Sequence, residues 1–477
     1  MNYETVIGLE IHAELATKTK IYCGCKNEFG GEPNTHTCPV CTGMPGSLPV
    51  LNKQVVDYAI CVGLAMNCEI TRFGKQDRKN YFYPDLPKAY QISQFDLPVC
   101  HDGYIDIEVG GETKRIGITR IHIEEDAGKL IHDDYSGTSL VDYNRCGVPL
   151  IEIVTEPDLR SPEEAKVFLD TLKSILEYTE VSDCKMQEGS LRCDVNVSIR
   201  PIGSKEFGTR CEMKNVNSFS AAVRSMDYEI KRQIDVVENG GEIIQETRRW
   251  DDARGVSVVM RTKEDAHDYR YFPEPDLVPI VISDEWIENV RKRIPELPNE
   301  RKARYISEYS LPEYDAFVIT SSKKMADYFD ACTKAGCDPK SASNWLMGDV
   351  TRYLNEKEVE PSDIPFSADQ LAALLGLIEK GTISNSAAKK VLVEMFKAPD
   401  DPAKIVEKLG LVQVSDEGTL KAMVKEVLDA NPQSIVDYKA GKDRAIGFLV
   451  GQIMKASKGK ANPQMINKLL KETLDSM

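Results

Sequence analysis

Hydrophobic and polar positions alternate with period 2 along Val6-Ile7-Gly8-Leu9-Glu10-Ile11-His12-Ala13, along Tyr104 to Val109 and along Cys193 to Ile199. Such alternation predicts half-buried strands, and Gly, Pro, Asp and Asn turns separate similar segments up to about residue 290. Helical periodicity interrupts them. Ser161, Pro162 and Glu164 supply an N-cap, a first-turn proline and a capping box, and Ala165, Phe168, Leu172, Ile175 and Leu176 form one apolar stripe. A second helix is expected from Ser220 to Val237. Strands mixed with helices predict an α+β domain over residues 1–292.

The texture changes at Arg293-Ile294-Pro295-Glu296-Leu297-Pro298. Helical patterns follow at Phe317–Lys334, Ala368–Lys380 and Ser384–Phe396, which predicts a helical domain over 293–400. Ala398-Pro399-Asp400-Asp401-Pro402 reads as a linker to a small helical tail, 401–477, interrupted at Asn431-Pro432 and Asn462-Pro463.

The 477 residues are 42% hydrophobic and 29% charged, the balance of a soluble globular protein. No apolar run approaches the ~20 residues that span a bilayer, and the first residues carry no basic leader before an apolar stretch. A cytoplasmic location without membrane contact is expected. The net charge of −16 excludes general attraction to nucleic acid but not a local basic patch. One is present near the end, where Arg444, Lys455, Lys458 and Lys460 lie among few acids. It is either a phosphate-binding surface or a solvated helical face.

The thirteen cysteines, odd in number and without a secretory leader, point to thiols and metal ligation rather than disulfides. Cys23-x-Cys25 and Cys38-x-x-Cys41 form two tight pairs across a short polar loop, a spacing that closes a tetrahedral zinc site. All four positions are filled by protein, so the zinc is expected to be structural.

In the first strand, period 2 places Gly8, Glu10, His12 and Glu14 on one face and Ile7, Leu9 and Ile11 on the other. A carboxylate beside an imidazole can hold a divalent cation or exchange protons. His122-Ile123-Glu124-Glu125-Asp126 and Leu150-Ile151-Glu152-Ile153 add two acidic clusters, and a shared Mg²⁺ centre then depends on strand order. The loop from Asp77 to Gln94 combines Arg78, Lys79 and Lys88, able to grip phosphates, with Tyr81 and Tyr83, able to stack a base. A structured loop with buried aromatic anchors accounts for it equally well. Alternation also puts Arg192, Asp194 and Asn196 on one strand face, and Glu212 with Lys214 on another, where a simple ion pair suffices.

Taken in order, Ile7-Gly8-Leu9-Glu10-Ile11-His12, Asp77-Arg78-Lys79-Asn80-Tyr81-Phe82-Tyr83-Pro84, Tyr90-Gln91-Ile92-Ser93-Gln94, Glu124-Glu125-Asp126-Ala127-Gly128-Lys129, Glu188-Gly189-Ser190-Leu191-Arg192, Asp268 to Asp276, Ser343-Asn344-Trp345-Leu346-Met347-Gly348 and Gly447 to Gln452 resemble the GatB family, the B subunits of aspartyl/glutamyl-tRNA(Asn/Gln) amidotransferases, over essentially the whole chain. The resemblance implies a cradle-like, glutamine-synthetase-like N-terminal kinase domain. With ATP and Mg²⁺ it would phosphorylate the side-chain carboxylate of Glu-tRNA(Gln) or Asp-tRNA(Asn). Ammonia would then arrive through a channel from the glutaminase or A subunit, the small C subunit would clasp the assembly, and the helical parts would hold the mischarged tRNA. Residue by residue, the resemblance assigns Glu10, His12 and Glu125 to Mg²⁺ and the channel mouth, and Lys79 and Lys88 to the kinase loop. It places Arg192, Asp194, Glu212 and Lys214 as polar cradle residues. Some family members lack the cysteine quartet. Two alternatives remain, a non-catalytic tRNA-binding scaffold and a self-contained carboxylate–amine ligase.

Overall fold

The computed structural model describes residues 3–133, 137–262, 269–413, 416–439, 444–457 and 461–476. Among them the chain forms two compact units, Met1–Leu297 and Pro298–Met477.

The first unit is built on one nine-stranded sheet. In chain order its strands are β1 (Tyr3–Glu14), β2 (Glu69–Ile70), β3 (Cys100–Val109), β4 (Glu112–Glu125), β5 (Pro149–Thr155), β6 (Leu191–Pro201), β7 (Cys211–Lys214), β8 (Glu246–Asp251) and β9 (Val256–Thr262). Across the sheet they run β9-β8-β7-β6-β1-β5-β4-β3-β2. Only β7 and β8 pair in parallel; the other neighbours are antiparallel. The middle strand of the nine, β1, therefore lies between β6 and β5. Helices α1 (Lys53–Ala65), α2 (Pro162–Tyr178) and α3 (Phe219–Glu238) pack against the sheet. Ile7, Leu9 and Ile11 of β1, Ile121 and Ile123 of β4, and Phe168 and Leu172 of α2 join one buried core. Burying one face and leaving the other polar is what the period-2 pattern encodes.

Local chemistry sets the helix ends. Ser161 Oγ accepts the Glu164 N–H at 3.1 Å and Pro162 opens α2, as expected. The Glu164 carboxylate, however, accepts from the N–H of Arg160 at 2.7 Å, one residue earlier than a capping box requires. A smaller three-stranded sheet joins Asp77–Asn80, Tyr90–Ser93 and Phe272–Pro273. It brings the Asp77–Gln94 loop together with a segment nearly 200 positions later.

The second unit is helical. The single helix expected at Phe317–Lys334 is two, Glu313–Thr320 and Lys323–Lys334, because Ser322 caps a new start. The motif at Ser343–Gly348 runs into a π-helical turn, Leu346–Val350. The break expected at Ala398–Pro402 is only a turn, since helix Pro402–Lys408 packs on Ala368–Glu379 and Asn385–Lys397. Beyond the described part ending at Gln413, Leu420, Val424, Leu428, Leu449, Ile453, Ile466 and Leu470 form a separate core.

Candidate active site

Four thiolates meet where the spacing predicts. The Sγ atoms of Cys23, Cys25, Cys38 and Cys41 all lie within 4.8 Å of one another, and those of Cys38 and Cys41 are 3.9 Å apart. Tetrahedral zinc, with bonds of about 2.3 Å, requires sulfur separations of about 3.8 Å. The donor set fits zinc. Fully buried Lys20 points its Nζ at Cys41 Sγ, 3.8 Å away, and the Cys38 N–H lies 3.2 Å from the same sulfur. The Cys41 thiol is lowered to about 5, chiefly by its contact with Cys23. Lys20 was not singled out by the sequence, because a lysine outside the motif gives no sign that it will be buried.

A second metal-competent cluster is assembled from three strands. Register places His12 of β1 opposite Glu152 of β5, and Glu152 opposite His122 of β4. His12 Nε2 lies 3.4 Å from Glu124 Oε1 and 3.3 Å from Glu152 Oε2. These three donors lie within 4.8 Å of one another. An ion bonded at about 2.1 Å can bridge donors spaced this way, and two carboxylates with one imidazole suit a divalent cation. Without an ion, burial opposes charge on His12, but contacts with Glu124 and Glu152 outweigh it and raise the imidazole to about 10. Burial likewise opposes ionisation of Glu124, yet His12 and His122 hold its carboxyl well below the usual range. His122 Nε2 stands 3.5 Å from both carboxylates, while its buried Nδ1 has no hydrogen-bond partner among the described residues.

The structure therefore brings His12 together with Glu124 and Glu152, not with Glu125. Along β4, Ile121, Ile123 and Glu125 share one face while His122 and Glu124 share the other. Glu125 is buried beneath the sheet surface that carries the cluster, paired with Lys88 and accepting the Ile92 N–H at 2.9 Å. It does not face a solvated cavity with His12, as the sequence led us to expect. Glu10 is on the His12 face one pleat away, accepting from Asn196 Nδ2 at 3.1 Å. Burial first, then Glu152 and Glu212, raise its carboxyl. The signal for Glu124 and Glu152 was present in the sequence: each is flanked by isoleucine at an alternating position.

The Asp77–Gln94 loop divides its cations. Lys79 lies 4.8 Å from the Tyr269 ring and 5.9 Å from Tyr81, with no ion pair among the described residues. Burial opposes its charge, but Glu124 and nearby tyrosines leave its ammonium raised. That places Lys79 within electrostatic reach of the cluster. Arg78 does not reach out for phosphate: its guanidinium makes bonds of 2.6 and 2.8 Å to the Glu274 carboxylate and lies 4.2 Å from the Tyr90 ring. Lys88 is committed to Glu125. Tyr81 contacts Tyr83 and Tyr269 edge-on, and Tyr83 is exposed.

On β6 and β7, Lys214 pairs with Asp194 and lies 2.9 Å from Glu212, which accepts from Thr247 at 2.7 Å. Arg192 donates to Asp126 at 2.8 Å. In the second unit, Arg444 and Lys455 open and close helix Arg444–Ala456. Lys458 and Lys460 lie outside the described residues.

Two family profiles match the chain: the GatB/GatE catalytic domain over residues 5–288 and a GatB domain over 327–474. Among curated relatives, the aspartyl/glutamyl-tRNA(Asn/Gln) amidotransferase B subunit of Caldicellulosiruptor bescii is 65% identical over 480 aligned residues, covering all of both chains. The B subunits from Thermoanaerobacter sp. and Clostridium botulinum are 63% and 59% identical, over 99% and 100% of this chain and all of each relative.

Proposed function

Because the chain belongs to the GatB/GatE family, we propose that it is the tRNA-activating subunit of an aspartyl/glutamyl-tRNA(Asn/Gln) amidotransferase, a glutamine-dependent carbon–nitrogen ligase. The observation that carries this reading is the His12–Glu124–Glu152 cluster with Lys79 beside it, on the polar face of the sheet, where both carboxylates are buried. A tRNA-binding scaffold has no use for such a cluster.

A carboxylate is a poor acyl donor because its oxygen leaves badly. In the proposed first step an oxygen of the side-chain carboxylate attacks the γ-phosphorus of ATP, the bond to ADP breaks, and an acyl phosphate forms. In the second, ammonia attacks the acyl carbon, inorganic phosphate leaves, and the nitrogen loses a proton to give the amide. His12, Glu124 and Glu152 would hold Mg²⁺, which would supply charge neutralisation for the phosphoryl group. Lys79 adds a positive charge at the same place, and the Tyr81–Tyr269 rings limit its access to water. Zinc on the cysteine quartet holds the Cys23–Cys41 loop and takes no part in either step.

Ammonia comes in this scheme from the glutaminase, the A subunit of the assembly, and the small C subunit finishes the cytoplasmic complex. Among the described residues no helix is long and apolar enough to cross a membrane. In this reading the unit Met1–Leu297 is the cradle and the helical unit Pro298–Met477 holds the tRNA, with Arg444, Lys455, Lys458 and Lys460 on phosphates. The reconstituted complex, given each mischarged tRNA, ATP and ammonium, should form ADP only when the misacylated tRNA is present. Glu124→Gln should abolish that ADP formation; retention within about threefold, under ~1 kcal/mol of barrier, would overturn the assignment. Truncation after Gln413 should weaken tRNA binding and flatten its salt dependence.

A further inference from the structure

Register sets Arg192 of β6 directly beside His12 of β1 on the same face of the sheet. Arg192 also borders a cleft of about 640 Å³, walled by Glu14, by the Asn27–Gly31 stretch of the cysteine loop and by Gly189–Ser190. That volume falls in the range of small-ligand sites, roughly 300–1,000 Å³.

The charges around the cleft are unevenly committed. Asp142 accepts the N–H groups of Asn34 and Asn144 at 3.0 and 2.9 Å, Asp183 accepts from Ser190, and Glu188 pairs with Lys185 at 3.0 Å. Arg145 spends its guanidinium on the carbonyls of Ala127 and Gly128, at 3.0 and 2.7 Å, and lies 3.4 Å from Asp126. Arg192 shares that same Asp126 through one Nη2 bond of 2.8 Å, and its buried Nε has no hydrogen-bond partner among the described residues. Two guanidinium groups thus divide the Asp126 carboxylate, and Glu14 on the cleft wall is a second carboxylate within electrostatic reach of Arg192. The side chain of Arg192 is 38% exposed and lines the cleft.

We propose that Arg192 receives the side-chain carboxylate of the aminoacyl group, and that the cleft holds the aminoacyl end of the tRNA. The proposal rests on the function inferred above. A planar guanidinium matches a carboxylate in a way an amide does not, because the amide replaces one acceptor oxygen with a donor NH₂. Arg192 would therefore distinguish the acidic substrate from its amidated product, and hold the reacting oxygen beside His12, its neighbour in the sheet. A nucleotide phosphate is the other anion this donor fork could take.

The test uses the assembled complex and measures Kd for one tRNA carrying glutamate and for the same tRNA carrying glutamine, alongside Kd for ATP. Wild type should prefer the glutamyl form by ~10-fold or more, the worth of a hydrogen bond to a charged group. Arg192→Gln should bring that ratio to about one while ATP affinity and melting temperature hold, and Arg192→Lys should fall between. An unchanged ratio in Arg192→Gln overturns the proposal. Weakened ATP binding with the ratio intact assigns Arg192 to phosphate and overturns it too. Failure of the wild-type complex to consume ATP with any mischarged tRNA would instead defeat the function inferred above, since the binding ratio is read without turnover.

Discussion

Two metal-competent clusters sit in the same α+β unit and are built in opposite ways. The cysteine quartet draws its ligands from nineteen consecutive positions, Cys23 to Cys41, and closes within one loop. The His12–Glu124–Glu152 cluster draws on three strands, the first more than a hundred positions from the others, and exists only because the sheet order places β1, β5 and β4 side by side. In the first, a bound metal would hold a loop; in the second, the fold would hold the metal. Losing a ligand should therefore cost structure in one case and chemistry in the other.

The largest expected effect sharpens that contrast between two adjacent carboxylates. Glu124→Gln should lower transamidation by ~10³-fold or more, about 4 kcal/mol of barrier, with an effect on melting temperature smaller than that of Glu125→Gln, since Glu152 still pairs with His12. Glu125→Gln should instead destabilise the fold by about 3–5 kcal/mol, because it strands the buried Lys88 without its counter-charge. Steady-state rates and thermal melts of both variants separate the two roles. Similar profiles for the pair would erase the distinction between the faces of β4.

Next in size is the zinc site. Protein purified without added zinc should carry about one ion per chain, and Cys41→Ser should bring that close to zero with loss of protease resistance in the Cys23–Cys41 loop. Mn²⁺ affinity at the His12 cluster should change less than about threefold, which titration followed by electron paramagnetic resonance can measure. A parallel loss at both sites would show that they are not independent.

A smaller effect should appear with pH. With no cation bound, the His12 imidazolium is held up to about 10 by Glu124 and Glu152, so this pairing stabilises the fold fully below the ordinary histidine range and fades as pH rises through about 10. A cation must displace the same proton. Mn²⁺ binding at the cluster should tighten steadily from pH 6 to 9, and His12→Gln should flatten the trend. The smallest change is local: Ser161→Ala should cost ~1 kcal/mol in denaturant unfolding, without moving either metal site.

The same contrast explains what could be seen in the sequence. The quartet, the Ser161 cap and the alternating face of β1 were legible because each is fixed by neighbours a few residues away. The α+β layout followed from periodicity alone. The partners of His12 were not legible, since they depend on which strands become neighbours. The family resemblance points to Glu125 rather than Glu124, although Ile121 and Ile123 place Glu125 on the apolar face. Arg78 likewise looks available for phosphate in the sequence, yet Glu274, almost two hundred positions away, holds it. His122, buried between two carboxylates with no hydrogen-bond partner for Nδ1 among the described residues, becomes visible only once β4 and β5 are paired.

Back-to-back carboxylates on β4 also set how this strand can change over generations. Many substitutions at its exposed positions leave the two faces sorted. Removing or adding one residue inside the paired stretch of β4 ahead of Glu124 would turn the isoleucines toward solvent, carry Glu124 toward Lys88 and swing Glu125 toward His12, with almost every amino acid retained. The strand should thus tolerate changes of spelling far better than changes of length, and insertions or deletions should be confined to its distal hairpin at Val109–Glu112, where Gly110 and Gly111 turn the chain in the open with positive φ.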